Sequence, residues 1–223
     1  MRSEFDKYAD EYTQEIDKAA SVSGEKFNYF VETRIKLVKN ALKGSIPGKI
    51  LDYGCGIGIT EIFFKRYFPM AQIWGIDTST DSINKAKSLK LQRVNFDKPK
   101  RFKDNTFDVI YSNGTFHHIN HDKHLKILAD FHRILKPGGK VFIFENNPYN
   151  PLMMKVMREC RLDKDAKVIT SDRLENVMKK AGFKVKKGHY YLFFPKALSM
   201  LRFLEKYMKR LPIGAQYYVQ GVK

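Results

Sequence analysis

The sequence predicts an α/β fold with a doubly wound, mostly parallel sheet of seven strands and helices on both faces. From residue 49 onward, short apolar runs of strand length alternate with segments of helical periodicity, as in strand–helix–strand units. The 223 residues are 43% hydrophobic, which is enough for one large core. Because no linker or internal repeat divides the chain, we expect a single domain over residues 1–223.

The first part of the chain precedes this alternation and is predicted to be helical. Phe5, Tyr8 and Tyr12 have the spacing of one helix face. A second amphipathic helix is expected from Phe27 to Leu42. We expect residues 1–46 to form a helical lid over the sheet.

The elements that follow are predicted from apolar runs and from turn signals between them. The segment Lys-Pro-Gly-Gly at residues 136–139 is a strong stop signal for the helix before it. The expected strands are Lys49–Tyr53, Gln72–Ile76, Leu91–Phe96, Phe107–Tyr111, Lys140–Glu145, Phe183–Phe194 and Gln216–Val222. The expected helices are Thr60–Tyr67, Thr80–Leu89, His124–Leu135 and Ser171–Ala181.

The most informative segment joins the first strand to the helix after it. Asp52 is followed by Gly54, Gly56 and Gly58, and Asp77 ends the next strand nineteen residues after Gly58. Small residues let the backbone approach a ligand, and the helix N-terminus offers free N–H groups. A carboxylate at the end of the second strand can bind a ribose diol. These features together indicate a ligand that contains a nucleoside.

The spacing of the glycines distinguishes between nucleoside ligands. Dinucleotide sites use Gly-x-Gly-x-x-Gly, whereas this chain has Gly-x-Gly-x-Gly. Asp52 would repel a pyrophosphate but attract a sulfonium or an α-amino group. S-adenosylmethionine (SAM) is therefore favoured over a nicotinamide cofactor.

Four stretches resemble the motifs of class I SAM-dependent methyltransferases. Residues 52–58, Asp-Tyr-Gly-Cys-Gly-Ile-Gly, resemble the first motif. Residues 75–79, 107–119 and 135–144 resemble later motifs in the same order. The resemblance implies a Rossmann-like fold, a SAM cofactor and a methyltransferase of the type that acts on small molecules.

The resemblance also implies roles for individual residues. It places Gly54, Gly56 and Asp52 around the methionine part of SAM, and Asp77 at its ribose. Arg34 has the position whose basic residue pairs with the cofactor carboxylate in similar chains, and one more exposed arginine is the alternative. The implied cofactor-binding residues are Arg34, Asp52, Gly54, Cys55, Gly56, Asp77, Thr78, Phe96, Asp97, Asn113 and Gly114.

Four histidines lie close together, at positions 117, 118, 121 and 124. No cysteine or carboxylate set in the sequence pattern completes a tetrahedron with them, so no metal site is predicted. His117 and His118 are candidate catalytic bases, because imidazole titrates near a pKa of about 6.5. The alternative is a packed loop histidine that serves the structure.

The acceptor is expected at the end of the fifth strand. Asn146, Asn147 and Tyr149 lie there, where ligands bind in such sheets. The run Asn-Asn-Pro-Tyr is similar to the Asn-Pro-Pro-Tyr box of nucleic-acid amino-methyltransferases. In those enzymes the box follows the fourth strand and has Pro as its second residue, whereas here the run follows the fifth strand and has Asn in that place. A nucleic-acid amino-methyltransferase is therefore rejected. We expect these three residues to bind the acceptor together with Tyr8 and Tyr12.

The charge is concentrated in the last third of the chain. The net charge is +17, and residues 151–223 carry 17 basic and 6 acidic groups. Such a region is typical of a nucleic-acid or anionic membrane contact, although solvated lysines are the alternative. Pro195–Leu211 is predicted as a basic amphipathic helix that either docks on a membrane or packs on the sheet.

We expect a methyltransferase that acts on a small-molecule or lipid-linked acceptor. The alternatives are an RNA or protein methyltransferase that uses the basic C-terminal region and, as the weaker one, a nicotinamide-dependent oxidoreductase. Residues 47–146 would form the cofactor-binding core, and residues 147–223 the substrate-side helices and closing strands. The absence of a signal-like N-terminus and the two cysteines predict a cytoplasmic location.

Overall fold

The computed structural model describes residues 12–223. Strands and helices alternate along the described chain from residue 49 onward. The strands are β1 (Lys49–Tyr53), β2 (Gln72–Ile76), β3 (Val94–Asp97), β4 (Phe107–Asn113), β5 (Leu135–Asn146), β6 (Lys184–Tyr191) and β7 (Gln216–Val222). The α-helices are α1 (Tyr12–Ser21), α2 (Phe27–Leu42), α3 (Ile59–Tyr67), α4 (Thr80–Ser88), α5 (His124–Ile134), α6 (Pro151–Glu159), α7 (Ser171–Lys180) and α8 (Glu205–Met208).

The seven strands form one sheet in the order β3-β2-β1-β4-β5-β7-β6. β7 runs antiparallel to both of its neighbours, and the other pairs are parallel. The predicted α/β fold is therefore confirmed. Chain order reverses between β1 and β4, and ligands bind at such a switch point beyond the carboxyl ends of the strands.

Helices cover both faces of the sheet because each face presents buried apolar side chains. α2 and α3 contribute Ile35 and Phe64 to the core on one face. α5 and α7 contribute Phe131 and Leu174 to the core on the other face. All four side chains are at most 2% exposed. This packing fixes the strand ends from which the loops of the site extend.

The helix predicted over Pro195–Leu211 is wrong. A 3₁₀ segment, Lys196–Leu204, is followed by the short α8, and Leu198 has non-helical dihedral angles (φ −108°, ψ 24°). The Glu205 carboxylate accepts hydrogen bonds from the N–H groups of Phe193 and Phe194, which ties the segment to the chain before it. An amphipathic pattern marks the apolar side of a segment but does not fix its hydrogen-bond period.

Two strands are shorter than predicted because left-handed residues interrupt them. β3 begins after Arg93, which has a φ of 61°, and β6 ends before Leu192, which has a φ of 60°. Extended backbone needs a negative φ. β5 is instead longer than predicted and includes the Lys-Pro-Gly-Gly stretch.

Helix α6 was not predicted, although its start signals are present. The Asn150 side chain accepts a hydrogen bond of 2.8 Å from the Met153 N–H, and Pro151 occupies the first turn. Of the predicted lid aromatics, Phe5 and Tyr8 lie outside the described residues, and Tyr12 is the first residue of α1. No helix within residues 12–223 is long and apolar enough to span a bilayer.

Candidate functional site

A cavity of about 530 Å³ opens at the carboxyl ends of β1, β4 and β5. This volume lies within the range of about 300–1,000 Å³ that is common for small-molecule sites. Helices α2 and α6 and the loops after these strands form its wall. The wall contains these predicted site residues: Arg34, Gly54, Gly56, Asp77, Thr78, Asn113, Gly114, His117, His118 and Asn146.

The glycine turn after β1 forms the floor of the cavity and is fixed to the end of β2. The N–H groups of Gly54 and Cys55 both donate to the Ile76 carbonyl, at 2.8 and 3.1 Å. Gly54 has a φ of 83°, and a Cβ atom there would lie 2.1 Å from Thr115 Oγ1. Only glycine therefore fits this position without movement of the β4 loop.

Asp77 joins the glycine turn to the start of α4. Its Oδ2 accepts a hydrogen bond of 2.9 Å from the Gly56 N–H, and its Oδ1 accepts one of 2.8 Å from the Ser79 N–H. Each carboxylate oxygen has two lone pairs, so an oriented carboxylate of this kind can accept further hydrogen bonds. Its place in the cavity wall suits a pair of hydroxyl groups.

Arg34 brings a buried positive charge to the cavity. The residue is only 3% exposed, and its Nη1 donates to Gln216 Oε1 at 3.2 Å. Tyr191 donates its hydroxyl to the same oxygen at 2.7 Å. Within residues 12–223, the guanidinium Nε has no hydrogen-bond partner. A buried, incompletely paired guanidinium favours an anionic group beside it.

Two buried carboxyl groups flank the glycine turn in the chain, Asp52 in β1 and Glu61 in α3. Burial, together with the charge of Asp77, raises the pKa of Asp52 well above its usual range. Burial and the neighbouring Asp52 raise the pKa of Glu61 in the same direction. Asp52 Oδ2 and both carboxyl oxygens of Glu61 lack hydrogen-bond partners within the described residues. Burial and mutual repulsion therefore both oppose the presence of two negative charges on this pair.

The histidine loop after β4 is anchored by two carboxylates. His117 Nδ1 lies 2.5 Å from Glu145 Oε2, and its Nε2 lies 3.2 Å from Asp163 Oδ1. Burial alone would lower the pKa of His117, but these carboxylates outweigh it and raise the pKa to about 10. Burial would raise the pKa of Asp163, but hydrogen bonds from His117 and His118 lower it to about 2. His117 is thus an imidazolium at neutral pH and has no free lone pair to accept a proton.

Asp163 also changes the basis of the metal prediction. His117, His118 and Asp163 offer ligand atoms that all lie within 4.8 Å of one another, so a carboxylate does join two of the histidines as a third ligand residue. The charged His117, however, uses its Nε2 as a donor to Asp163, whereas a metal needs a neutral imidazole. That no metal binds here stays a prediction.

The profile of the methyltransferase domain family matches residues 25–187, which is most of the chain. The chain belongs to this family. Its fold is that of the class I enzymes that use SAM, as shown by the comparisons that follow.

Phosphoethanolamine N-methyltransferase 3 of Arabidopsis thaliana is 41% identical over 106 residues, or 44% of this chain and 21% of that protein. The chain matches about a fifth of the length of this relative and of its wheat counterpart. A SAM-dependent methyltransferase from Archaeoglobus fulgidus superposes with a TM-score of 0.67 at 16% identity, over 87% of this chain and 94% of that chain. Phosphoethanolamine N-methyltransferase 2 of Haemonchus contortus, in complex with SAM, gives 0.62 at 20% identity, over 86% and 52% of the two chains.

Several predicted cofactor residues of this methyltransferase lie outside the described cavity wall. The side chains of Asp52 in β1 and Cys55 in the glycine turn are both buried. The Phe96 ring packs against Gly58 and Gly75. A Cβ atom at either glycine would lie only 2.9 or 2.7 Å, respectively, from that ring. Asp97 faces a separate depression beside Phe96, where its Oδ2 accepts from Lys100 Nζ at 2.7 Å.

Two predicted acceptor residues also lie outside this wall. The Asn147 amide is buried and donates to the carbonyls of Pro212 and Gly214, at 3.0 and 2.7 Å. Tyr149 is 57% exposed on the outer surface. Sequence reasoning missed Glu145 and Asp163 as partners of the histidine loop, and the separation of 46 positions between His117 and Asp163 leaves no local signal for that contact.

Proposed function

We propose that this methyltransferase binds SAM across the glycine turn and transfers its methyl group to a small-molecule or lipid-linked acceptor in the same cavity. One observation carries the proposal. Arg34 is buried and shares a cavity wall with Asp77 and the glycine turn. Its Nε has no hydrogen-bond partner within residues 12–223. SAM has a carboxylate and a ribose diol, and these groups match the two side chains.

The residues of the wall fit SAM in the following way. Arg34 would bind the carboxylate of the methionine part, and Asp77 would accept hydrogen bonds from the ribose hydroxyls. Gly54 and Gly56 would let the backbone approach the cofactor, because a side chain at Gly54 would collide with Thr115. Bound SAM supplies a methyl group that its sulfonium already activates. The protein would contribute orientation and water exclusion.

The apolar part of the cavity wall suits an acceptor with an apolar group. Apolar side chains from α2, α6 and the chain after β6 line it, among them Phe30, Met153 and Phe193. His118 lies in the same wall, and its Nε2 is 3.5 Å from Asp163 Oδ1. Because His117 is held as an imidazolium, His118 is the better candidate for the base, with Asp163 as its positioning residue. The Arabidopsis relative is named for phosphoethanolamine, which supports a small acceptor.

The test supplies methyl-labelled SAM and an extract of the source cells to the purified protein, followed by solvent partition. Label in the organic phase, or in nuclease- and protease-resistant small molecules of the aqueous phase, supports the proposal. The Asp77→Ala variant should incorporate little label. Label that nuclease or protease releases would favour the RNA or protein alternative and overturn the proposed acceptor class.

A further inference from the structure

The chain between Lys196 and Ile213 exposes apolar side chains at high density. Of the fifteen large apolar side chains exposed on residues 12–223, seven lie in this stretch. Met200 is 87% exposed, Tyr207 74% and Phe203 64%. Single exposed apolar residues are ordinary, but a cluster of them marks an interaction surface. We call the following seven residues the apolar patch: Leu198, Met200, Leu201, Phe203, Tyr207, Leu211 and Ile213.

Exposed cations accompany the apolar patch. Lys196, Lys206, Lys209 and Arg210 are all exposed in the same stretch. Its single acidic residue, Glu205, is occupied by backbone N–H groups. The surface therefore combines apolar side chains with positive charge, which is the combination that binds the interface of an anionic bilayer.

The apolar patch adjoins the mouth of the cavity. Leu152 on α6 is 53% exposed and also lies in the cavity wall. Arg202, within the patch segment, lies in that wall as well. The Asn150 amide donates to the Ile213 carbonyl at 2.7 Å and so joins the start of α6 to the end of the patch. A surface bound to the patch would thus lie beside the cavity entrance.

We infer that the apolar patch and its four cations dock this methyltransferase on an anionic lipid bilayer, with the cavity entrance beside the membrane. The inference rests on the proposed function, since docking would give the cavity access to a lipid-linked acceptor. A symmetric pair of chains is a poorer occupant, because it would bring the cations of two copies together. Each exposed Lys or Arg near such a membrane strengthens binding by about 1 kcal/mol, or about five-fold.

The test measures sedimentation of the full chain with vesicles of phosphatidylcholine alone and of phosphatidylcholine mixed with phosphatidylglycerol. We expect binding to the mixed vesicles that weakens as salt is added. Lys206→Gln with Lys209→Gln should lower the partition coefficient about 25-fold. The matched control, Lys126→Gln with Lys179→Gln, changes exposed lysines on α5 and α7 and should bind as the wild type does.

A second set of variants tests the apolar contribution. Met200→Ser, Phe203→Ser and Tyr207→Ser together should reduce binding to the level seen with phosphatidylcholine alone. Ile46→Ser with Met70→Ser, at residues that are 79% and 67% exposed, is the control and should bind normally. Calorimetry with SAM accompanies every variant and should show unchanged affinity, because the substituted side chains are not in the described cavity wall.

Three results would overturn the docking. The first is a wild-type chain that binds SAM but not the mixed vesicles. The second is a serine triple variant that sediments with vesicles as the wild type does. The third is light scattering that shows the wild type as a dimer and the serine triple variant as a monomer. A second copy of the chain, and not a membrane, would then cover the apolar patch. Vesicle binding together with a water-soluble methyl acceptor would support the docking and overturn only the lipid-linked form of the proposed function.

Discussion

Replacement of Arg34 by Met tests whether the buried guanidinium binds the cofactor carboxylate. Arg34 is 3% exposed, and its Nε has no partner within residues 12–223. A hydrogen bond to a charged group contributes about 1.5–3 kcal/mol, and an unpaired buried charge costs about 3–5 kcal/mol. We take about 3 kcal/mol for the lost contact, which predicts an affinity for SAM that is about a hundredfold weaker.

The fold should tolerate this substitution. Met has an unbranched apolar side chain, and exchange of a buried charge for a well-packed apolar group is often neutral for stability. Gln216 would lose the Arg34 contact but keep the hydroxyl of Tyr191 at 2.7 Å and its own bond to Asn146 at 2.8 Å. Urea unfolding should therefore show a free energy within about 1 kcal/mol of the wild type.

Calorimetry with two ligands isolates the carboxylate contact. SAM has the methionine carboxylate, whereas 5′-methylthioadenosine has the nucleoside without it. Arg34→Met should weaken the binding of SAM about a hundredfold and leave the affinity for 5′-methylthioadenosine within about threefold of the wild-type value. Arg66→Met is the control, because the exposed Arg66 guanidinium lies 3.8 Å from Glu32 at the surface and is not part of the described cavity wall. Equal losses for both ligands, or a SAM affinity close to that of the wild type, would refute the assignment.

Three further predictions concern the glycine turn and the histidine loop. Asp77→Ala should weaken SAM and 5′-methylthioadenosine alike in calorimetry, by about tenfold or more, because both carry the ribose; an effect on SAM alone would contradict the ribose contact. Gly54→Ala should lower the free energy of unfolding in urea by about 1–3 kcal/mol, since its Cβ would lie 2.1 Å from Thr115 Oγ1, and an unchanged midpoint would contradict this. His117 has a pKa raised from 6.5 to about 10, so its stabilising contribution is complete below pH 6.5 and is lost as the pH rises towards about 10. Urea unfolding across this pH range should show that loss in the wild type and not in His117→Gln; parallel profiles would contradict it.

Much of the fold could be predicted because its signals are local. The strands could be predicted from apolar runs of strand length, and most of the helices from their periodicity and from the stop signal before residue 140. The glycine turn and Asp77 were predicted as site residues from a similarly local pattern, and the structure places Gly54, Gly56 and Asp77 in the cavity wall. Arg34 was placed only by resemblance, and the structure shows it buried in the cavity wall.

The remaining features depend on contacts between distant parts of the chain. The imidazolium of His117 requires Glu145 and Asp163, which are 28 and 46 residues away, so no spacing rule could reveal it. Asn147 was predicted to bind the acceptor because it follows a strand. Its amide instead donates hydrogen bonds to the carbonyls of Pro212 and Gly214, just before β7. The segment after Pro195 keeps its amphipathic pattern without forming one helix, and the Glu205 carboxylate accepts hydrogen bonds from the backbone before it.

A crystal structure of the chain with S-adenosylhomocysteine would show directly whether Arg34 and Asp77 bind the cofactor. We expect the homocysteine carboxylate within about 2.7–3.2 Å of the Arg34 guanidinium and the ribose hydroxyls within hydrogen-bond distance of the Asp77 carboxylate. The sulfur would point towards the part of the cavity that His118 and Met153 line. A nucleoside bound elsewhere, for example in the depression beside Phe96 and Asp97 with Arg34 left unengaged, would contradict the account.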